Sequence, residues 1–270
     1  MRSPFRTTIR QLWWSPLACF GLAWAFSTTE IGRELEHHAL DLCTKFRLGF
    51  QKPPDPRLAV VLFEDDTEAR LGKPWPVERQ YHAQMTQVLA LAGARMVAWD
   101  VILDASREGE GDAVLGQIAE AANSAGVPVV SAGVTNADPT GAAPGREGPT
   151  KPLKHVEGDI GRLQGDKHAF IPYPQLRAVS LYGFADAHPG SDGIRREIPL
   201  VVRVGTEAYP SLSLQIILAH HGVKPEDVRV RLGAAVSFPA AGRTMRIPID
   251  GHGNFLVNYR YDKTGHATDF

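Results

Sequence analysis

Three short apolar runs, separated by segments with helical periodicity, constrain the fold of this chain more than any other feature. The runs cover Leu58–Phe63, Ala94–Leu103 and Val127–Ala132, and their lengths are typical of buried strands. Between them, Tyr81–Ala92 and Asp112–Ser124 carry apolar residues at helical spacing. Because strands that alternate with helices form parallel sheets through right-handed crossovers, the pattern predicts an α/β fold around a parallel sheet.

Further along the chain, strand patterns become more frequent. Glu197–Val204, Val228–Leu232 and Thr244–Ile249 are predicted strands, and Pro174–Ser180 and Ser211–His220 are predicted helices. The predicted fold class is therefore α/β, with a parallel-core sheet, flanking helices and a β-rich C-terminal part. An N-terminal transmembrane helix is predicted to precede this fold.

The N-terminal region contains an uncharged stretch from Leu12 to Phe26, preceded by Arg2, Arg6 and Arg10. The stretch is close to the lower limit of about 17–18 residues for a membrane-spanning helix. The arginines predict that the N-terminus is cytoplasmic and that the rest of the chain is exported. We expect an uncleaved anchor here, while a cleaved signal peptide and a buried helix are the alternatives.

The overall composition argues against several function classes. Lys and Arg total 29 against 30 Asp and Glu, so the net charge of -1 gives no electrostatic basis for nucleic-acid binding. The two cysteines, Cys19 and Cys43, provide neither a disulfide framework nor zinc-type spacing. The sequence contains no nucleophile elbow, P-loop or His-Glu-x-x-His motif. We therefore expect no catalytic residue, no cofactor and no dedicated metal site.

Six sequence blocks, in order along roughly residues 34 to 220, resemble a known family. They are ELEHHALDLCTKFR (34–47), VVLFEDD (60–66), LGKPWPVER (71–79), LALAGAR followed by VAWD (89–100), YGFA followed by DGIRREIPL (182–200), and PSLSL (210–214). Together these blocks are similar to the second type of CHASE domain, the cyclases/histidine-kinases-associated sensory extracellular domain. Two departures from the family pattern are Phe63-Glu64, where Ile-Asp is usual, and Asp104, where a small or aromatic residue is usual.

The resemblance implies the extracytoplasmic, signal-sensing input domain of a membrane-bound bacterial transducer of the cyclase, Ser/Thr kinase, histidine kinase or diguanylate cyclase type. On this interpretation residues 1–29 form a cytoplasmic tip and transmembrane anchor, residues 30–50 a juxtamembrane helix, and residues 51–270 the sensor domain. The domain is expected to be truncated at its C-terminus, and the cytoplasmic output domain to be missing from this chain or on a partner. The chain itself is then not an enzyme.

The expected location is the bacterial inner membrane, crossed once, with most of the chain in the periplasm. The expected partners are the lipid bilayer, a small-molecule or protein signal, and a second copy of the chain. The basis for a homodimer is an apolar stripe of Ile31, Leu35, Leu42 and Phe46 on one face of the helix after residue 30. Packing of this stripe within the chain is the alternative.

Acidic residues at predicted strand ends form one set of candidate ligand residues. Asp65 and Asp66 follow the first apolar run, and Asp100 lies near the end of the second. The carboxyl ends of parallel strands share one edge of a sheet, where ligands bind. Carboxylates there suit a divalent cation, and a phospho-accepting site is a further interpretation. Solvation or capping of the strand ends is the simpler one.

Arginines and one tryptophan form the other set. Arg79 and Arg195 are suited to bidentate contacts with an anion, or to structural pairing with Asp100 or Asp192. Trp75, between two prolines, either lines a pocket or packs in a rigid loop. The candidate ligand-binding residues are thus Trp75, Arg79, Asp65, Asp66, Asp100, Asp192 and Arg195.

Two other functions remain open at this point. An exported metal-dependent enzyme would use the carboxylates of Asp65, Asp66 and Asp100, and requires that they converge in an open cleft. A membrane-anchored scaffold would instead present a contiguous apolar patch and no pocket.

Overall fold

The structure is a computed structural model that describes residues 14–48, 56–106, 110–138, 148–189 and 192–259. The chain divides into two compact units, one of residues 1–62 with 258–270 and the other of residues 63–257.

Among its described residues, the first unit contains the helices α1 (Trp14–Ser27) and α2 (Glu30–Leu48). With 14 residues, α1 is about 21 Å long, short of the roughly 30 Å hydrocarbon core of a bilayer. The 19 residues of α2 are long enough but include many charged side chains. None of the helices in the described ranges combines the length and apolar character that a membrane crossing needs. The predicted transmembrane helix is therefore not supported, although its first two residues lie outside those ranges.

The first apolar run is not a strand. Leu58–Phe63 belongs to no β-ladder among the described residues, and Leu58 and Val60 are 78% and 77% exposed. An extended apolar segment is stabilised in a sheet only when a neighbouring strand satisfies its backbone and an apposed layer covers its side chains. The prediction of a strand over these residues is therefore wrong.

The second unit contains the remaining elements. Its helices are α3 (Asp65–Leu71), α4 (Arg79–Leu91), α5 (Glu110–Ser124), α6 (Pro174–Val179) and α7 (Leu212–His221). Its strands are β1 (Val97–Ile102), β2 (Val129–Asn136), β3 (His155–Glu157), β4 (Gly165–Asp166), β5 (His168–Phe170), β6 (Leu181–Phe184), β7 (Glu197–Pro199), β8 (Val201–Val204), β9 (Glu207–Pro210), β10 (Arg229–Arg231), β11 (Ala235–Ala240), β12 (Arg243–Pro248) and β13 (Asn254–Leu256).

A parallel sheet forms the centre of this unit, as predicted. Strand β2 lies between β1 and β6 and is parallel to both, while its last residues pair antiparallel with β5. Apolar residues of α4, α5 and α6 cover one face around Trp99 and Val129. Helix α7 covers Val130 and Ala132 on the opposite face. Side chains on the two faces of β2 thus pack against two different layers of helices.

The β-rich C-terminal part is also confirmed. Strands β3, β10, β11 and β12 form a mixed sheet, β4, β8 and β9 form a second, and β7 pairs with β13. A core that includes Leu214, Leu218, Val236 and Phe238 joins α7 to these strands. The predicted strand Glu197–Val204 is interrupted at Leu200, whose N–H donates to the carbonyl of Gly253 at 2.9 Å.

Helix α3 was not expected from the sequence, because the acidic residues after Phe63 were assigned to a strand end. They instead begin a helix: the N–H of Glu64 donates to the Thr67 hydroxyl at 3.1 Å, a capping contact. Gly72, with φ of 64°, ends the helix in the left-handed conformation that glycine adopts without strain. The short helix leads into the loop that carries Trp75.

Candidate ligand site beside strand β1

Trp75 lies in the loop between α3 and α4. Its backbone N–H donates to the Glu68 carboxylate at 2.9 Å, and the Trp75–Pro76 peptide is cis. A salt bridge between Lys73 and Glu78 joins the two ends of the loop. Short-range contacts therefore fix the position of an indole that is still 44% exposed.

Behind this indole is a group of rings, Phe63, Trp75, His82 and Trp99, which we call the aromatic cluster. The His82 ring is 5.0 Å from Trp99 and 5.9 Å from Phe63, and Phe63 is 5.4 Å from Trp75, all between centroids. These separations and tilts are typical of favourable aromatic pairs. The buried indole N–H of Trp99 donates to the Thr86 hydroxyl at 3.1 Å, so α4 and β1 are joined by both packing and a hydrogen bond.

Arg79, the first residue of α4, is held on three sides. Its Nε lies 3.4 Å from the Asp112 carboxylate, and the two side chains are only 6% and 7% exposed. Its Nη2 donates to the carbonyl of Ala105 at 3.2 Å, and its guanidinium lies 5.6 Å from the Tyr173 ring centroid. The Tyr173 hydroxyl donates to the Asp112 carbonyl at 2.9 Å, and burial raises the pKa of this phenol. We call Arg79, Asp112 and Tyr173 the arginine clamp.

The clamp and the aromatic cluster border a cavity of about 360 Å³ beside β1. The residues that line the cavity are Trp75, Pro76, Val77, Arg79, His82, Asp100, Val101 and Ile102. Asp100 is exposed, and its carboxylate has no hydrogen-bond or ion-pair partner within the part of the chain that the structure describes. The cavity therefore combines an aromatic wall, an aliphatic floor and a carboxylate.

Three of the residues singled out in the sequence meet at this cavity: Trp75, Arg79 and Asp100. Asp100 lies well beyond the other two in the chain, and the fold brings it beside them because α4 packs over β1. Whether they bind a ligand remains a prediction, but their convergence is a fact of the structure.

The remaining candidates do not line the cavity. Asp66 is on α3 and lies 3.9 Å from Arg70, with both side chains more than 80% exposed. Asp65 is the first residue of α3. The two aspartates therefore do not end a strand, and the shared sheet edge inferred for them and Asp100 is wrong. No group of three potential metal-ligating side chains occurs among the described residues.

Asp192 and Arg195 lie between β6 and β7. The Asp192 carboxylate accepts from the N–H of Ile194 at 3.0 Å and is paired with Arg196 at 2.7 Å. These two contacts hold the pKa of Asp192 below its usual range. Asp192 thus has the structural role that was the alternative to ligand binding, while Arg195 is exposed.

Two residues of the site were missed in the sequence. His82 follows Arg79 by three positions on a helix, and this spacing places both on one face, a signal that was available. Asp112 belongs to the next helix, and nothing in the sequence pattern links it to Arg79.

The chain matches the model of a known protein family. The family model described as CHASE2 domain matches residues 17–270, a span that includes all six sequence blocks. No curated protein and no solved structure gives a significant match.

Proposed function

We propose a signal-sensing function for this chain, which belongs to the CHASE2 domain family. The family comprises extracellular sensory domains associated with signal transducers. Within that role we assign the cavity beside β1 as the ligand site. The observation that carries the assignment is the convergence of Trp75, Arg79 and Asp100 on one cavity of about 360 Å³, which lies within the usual range of small-molecule sites.

The cavity walls belong to separate elements, and this suits a sensor. The loop with Trp75, helix α4 and strand β1 each contribute side chains. A ligand that contacts all three stabilises the arrangement in which they are close, and it shifts the domain toward that state by its differential affinity.

A fragment screen by ligand-observed NMR on the whole chain tests the site. We expect bound fragments to lose affinity when Trp75→Ala removes the exposed wall. Leu91→Ala is the matched control, because Leu91 is an exposed residue at the far end of α4 and does not line the cavity. A set of fragments unaffected by Trp75→Ala would place the ligand site elsewhere.

We further propose that the chain acts outside the cytoplasm as the input of a membrane-bound bacterial transducer. The family supports this, as do the three arginines before the apolar N-terminal stretch. Alkaline phosphatase fused to the C-terminus of the chain should be active in cells, and a reporter that works only in the cytoplasm should be silent. The opposite pair of results would contradict export.

We also propose that α2 pairs with a second copy. Ile31, Leu35, Leu42 and Phe46 are all more than half exposed, and their spacing places them on one face. Leu42→Asp should shift sedimentation toward the monomer, whereas His37→Asp, outside this stripe, should not. An oligomeric state that is the same in both variants would argue against this pairing.

A further inference from the structure

The charge that the cavity presents to a ligand depends on which of its ionic side chains are already paired within the protein. Arg79 lines the cavity, but its charge is directed into the arginine clamp. There it pairs with Asp112, donates to the Ala105 carbonyl and stacks over Tyr173. An ion pair that is more than nine-tenths buried is costly to break, since either ion alone would be left desolvated. Arg79 therefore contributes little free positive charge to a ligand.

The other two polar side chains at the cavity differ in kind. His82 is 1% exposed and packed between aromatic rings. Asp100 is exposed, and no described side chain offsets its charge. With Arg79 neutralised by Asp112, the described lining therefore carries the uncompensated negative charge of Asp100.

The rest of the lining is apolar. The indole of Trp75 is the exposed aromatic surface, and Pro76, Val77, Val101 and Ile102 add aliphatic contacts. An aromatic face next to a carboxylate is the arrangement that recognises ammonium groups, because the ring quadrupole and the anion both attract a cation.

We propose that the cavity beside β1 selects small organic cations, namely amines with an apolar body, whose ammonium group pairs with Asp100 and lies against Trp75. This inference rests on the proposed sensory function and specifies its ligand class. Of the two roles that the sequence left open for Arg79, anion contact and structural pairing, the clamp favours the second, with Asp112 as the partner.

Three probes that share a 2-phenylethyl group, 2-phenylethylammonium, 2-phenylethanol and 3-phenylpropanoate, test the inference on the whole chain at pH 7. Dissociation constants come from NMR titration, at low and at moderate salt. We expect the ammonium to bind at least about tenfold more tightly than the alcohol or the carboxylate, with the preference falling as salt rises.

Asp100→Asn should remove that preference and leave the binding of the alcohol unchanged. Asp66→Asn, which neutralises an exposed aspartate that does not line the cavity, should leave the preference intact. Because the Asp100 carboxylate has no described partner, its amide variant should keep the wild-type thermal midpoint, which confirms folding.

The remaining outcomes separate this inference from the proposed function. Preferential binding of 3-phenylpropanoate, or equal binding of the alcohol and the ammonium, overturns the cation assignment and leaves a ligand cavity in place. A failure of all three probes to bind also overturns the cation assignment. The proposed ligand site itself fails if the fragment screen is blank as well, or if its fragments are unaffected by Trp75→Ala.

Discussion

The arginine clamp makes a quantitative prediction that can be tested without knowing the ligand. Arg79→Met leaves the Asp112 carboxylate buried without its cation, and Asp112→Asn leaves the guanidinium without its anion. Both side chains are under 10% exposed, so each single change should lower the free energy of unfolding by about 3–5 kcal/mol. The double variant has no charge left in the arginine clamp. It should be less destabilised than the sum of the single variants by about 2–3 kcal/mol.

Urea unfolding followed by tryptophan fluorescence measures these differences, provided that the m-value stays constant across the variants. The chain contains its own control in Arg70 and Asp66, a second Arg–Asp pair with side chains 82% and 85% exposed. The same cycle on that pair should give less than about 0.5 kcal/mol at every step, because solvent screens exposed ions. Burial is the main difference between the two cycles.

One result refutes the reasoning. If Arg79→Met costs less than about 1 kcal/mol and the two single changes add, then Asp112 does not hold the guanidinium. Arg79 would then be available to a ligand, and the cavity would no longer be net negative. The stability cycle and the binding experiment with charged probes therefore test the same assignment by independent measurements.

Four further predictions concern the packing and titration of the second unit. Thr86→Val removes the acceptor of the buried Trp99 indole N–H. It should lower the free energy of unfolding in urea by about 1–3 kcal/mol. Gly183→Ala places a Cβ 2.6 Å from a backbone oxygen at the start of α7 and should lower the free energy of unfolding by about 3 kcal/mol or more. Gly116→Ala in α5 is the control, because its Cβ would lie 3.7 Å from the nearest atom, and it should be neutral or mildly stabilising. Burial raises the pKa of Asp186, so the folded state holds its proton more tightly than the unfolded state. The wild type should therefore gain stability relative to Asp186→Asn as the pH falls through this raised pKa to the unfolded-state pKa. Hydrogen bonds lower the pKa of Asp192, so the wild type should instead lose stability relative to Asp192→Asn as the pH falls below the unfolded-state pKa. Curves of the same sign would contradict one of these two assignments.

Sequence patterns predicted the parallel core because β1 and β2 carry their own evidence. Each is a short apolar run between helical segments, and both faces of a central parallel strand are covered. The same reasoning failed for Leu58–Phe63, where the pattern is equally apolar. Burial of a strand requires a partner strand and an apposed layer, and neither is encoded in the segment itself. Periodicity therefore identifies a segment that is able to be buried, not the neighbour that buries it.

For the site, the sequence identified Trp75, Arg79 and Asp100 but not which of their charges are neutralised by other residues. Trp75 was found from its two flanking prolines, and Asp100 from its place in an apolar run. Arg79 was found as well, but the sequence left open whether its charge contacts an anion or pairs within the protein. Its partner, Asp112, is in the first turn of another helix, and the pairing exists only after α4 and α5 have packed together. Because the polarity of a cavity is the sum of the charges left uncompensated, this one long-range contact decides which sign of ligand the cavity selects.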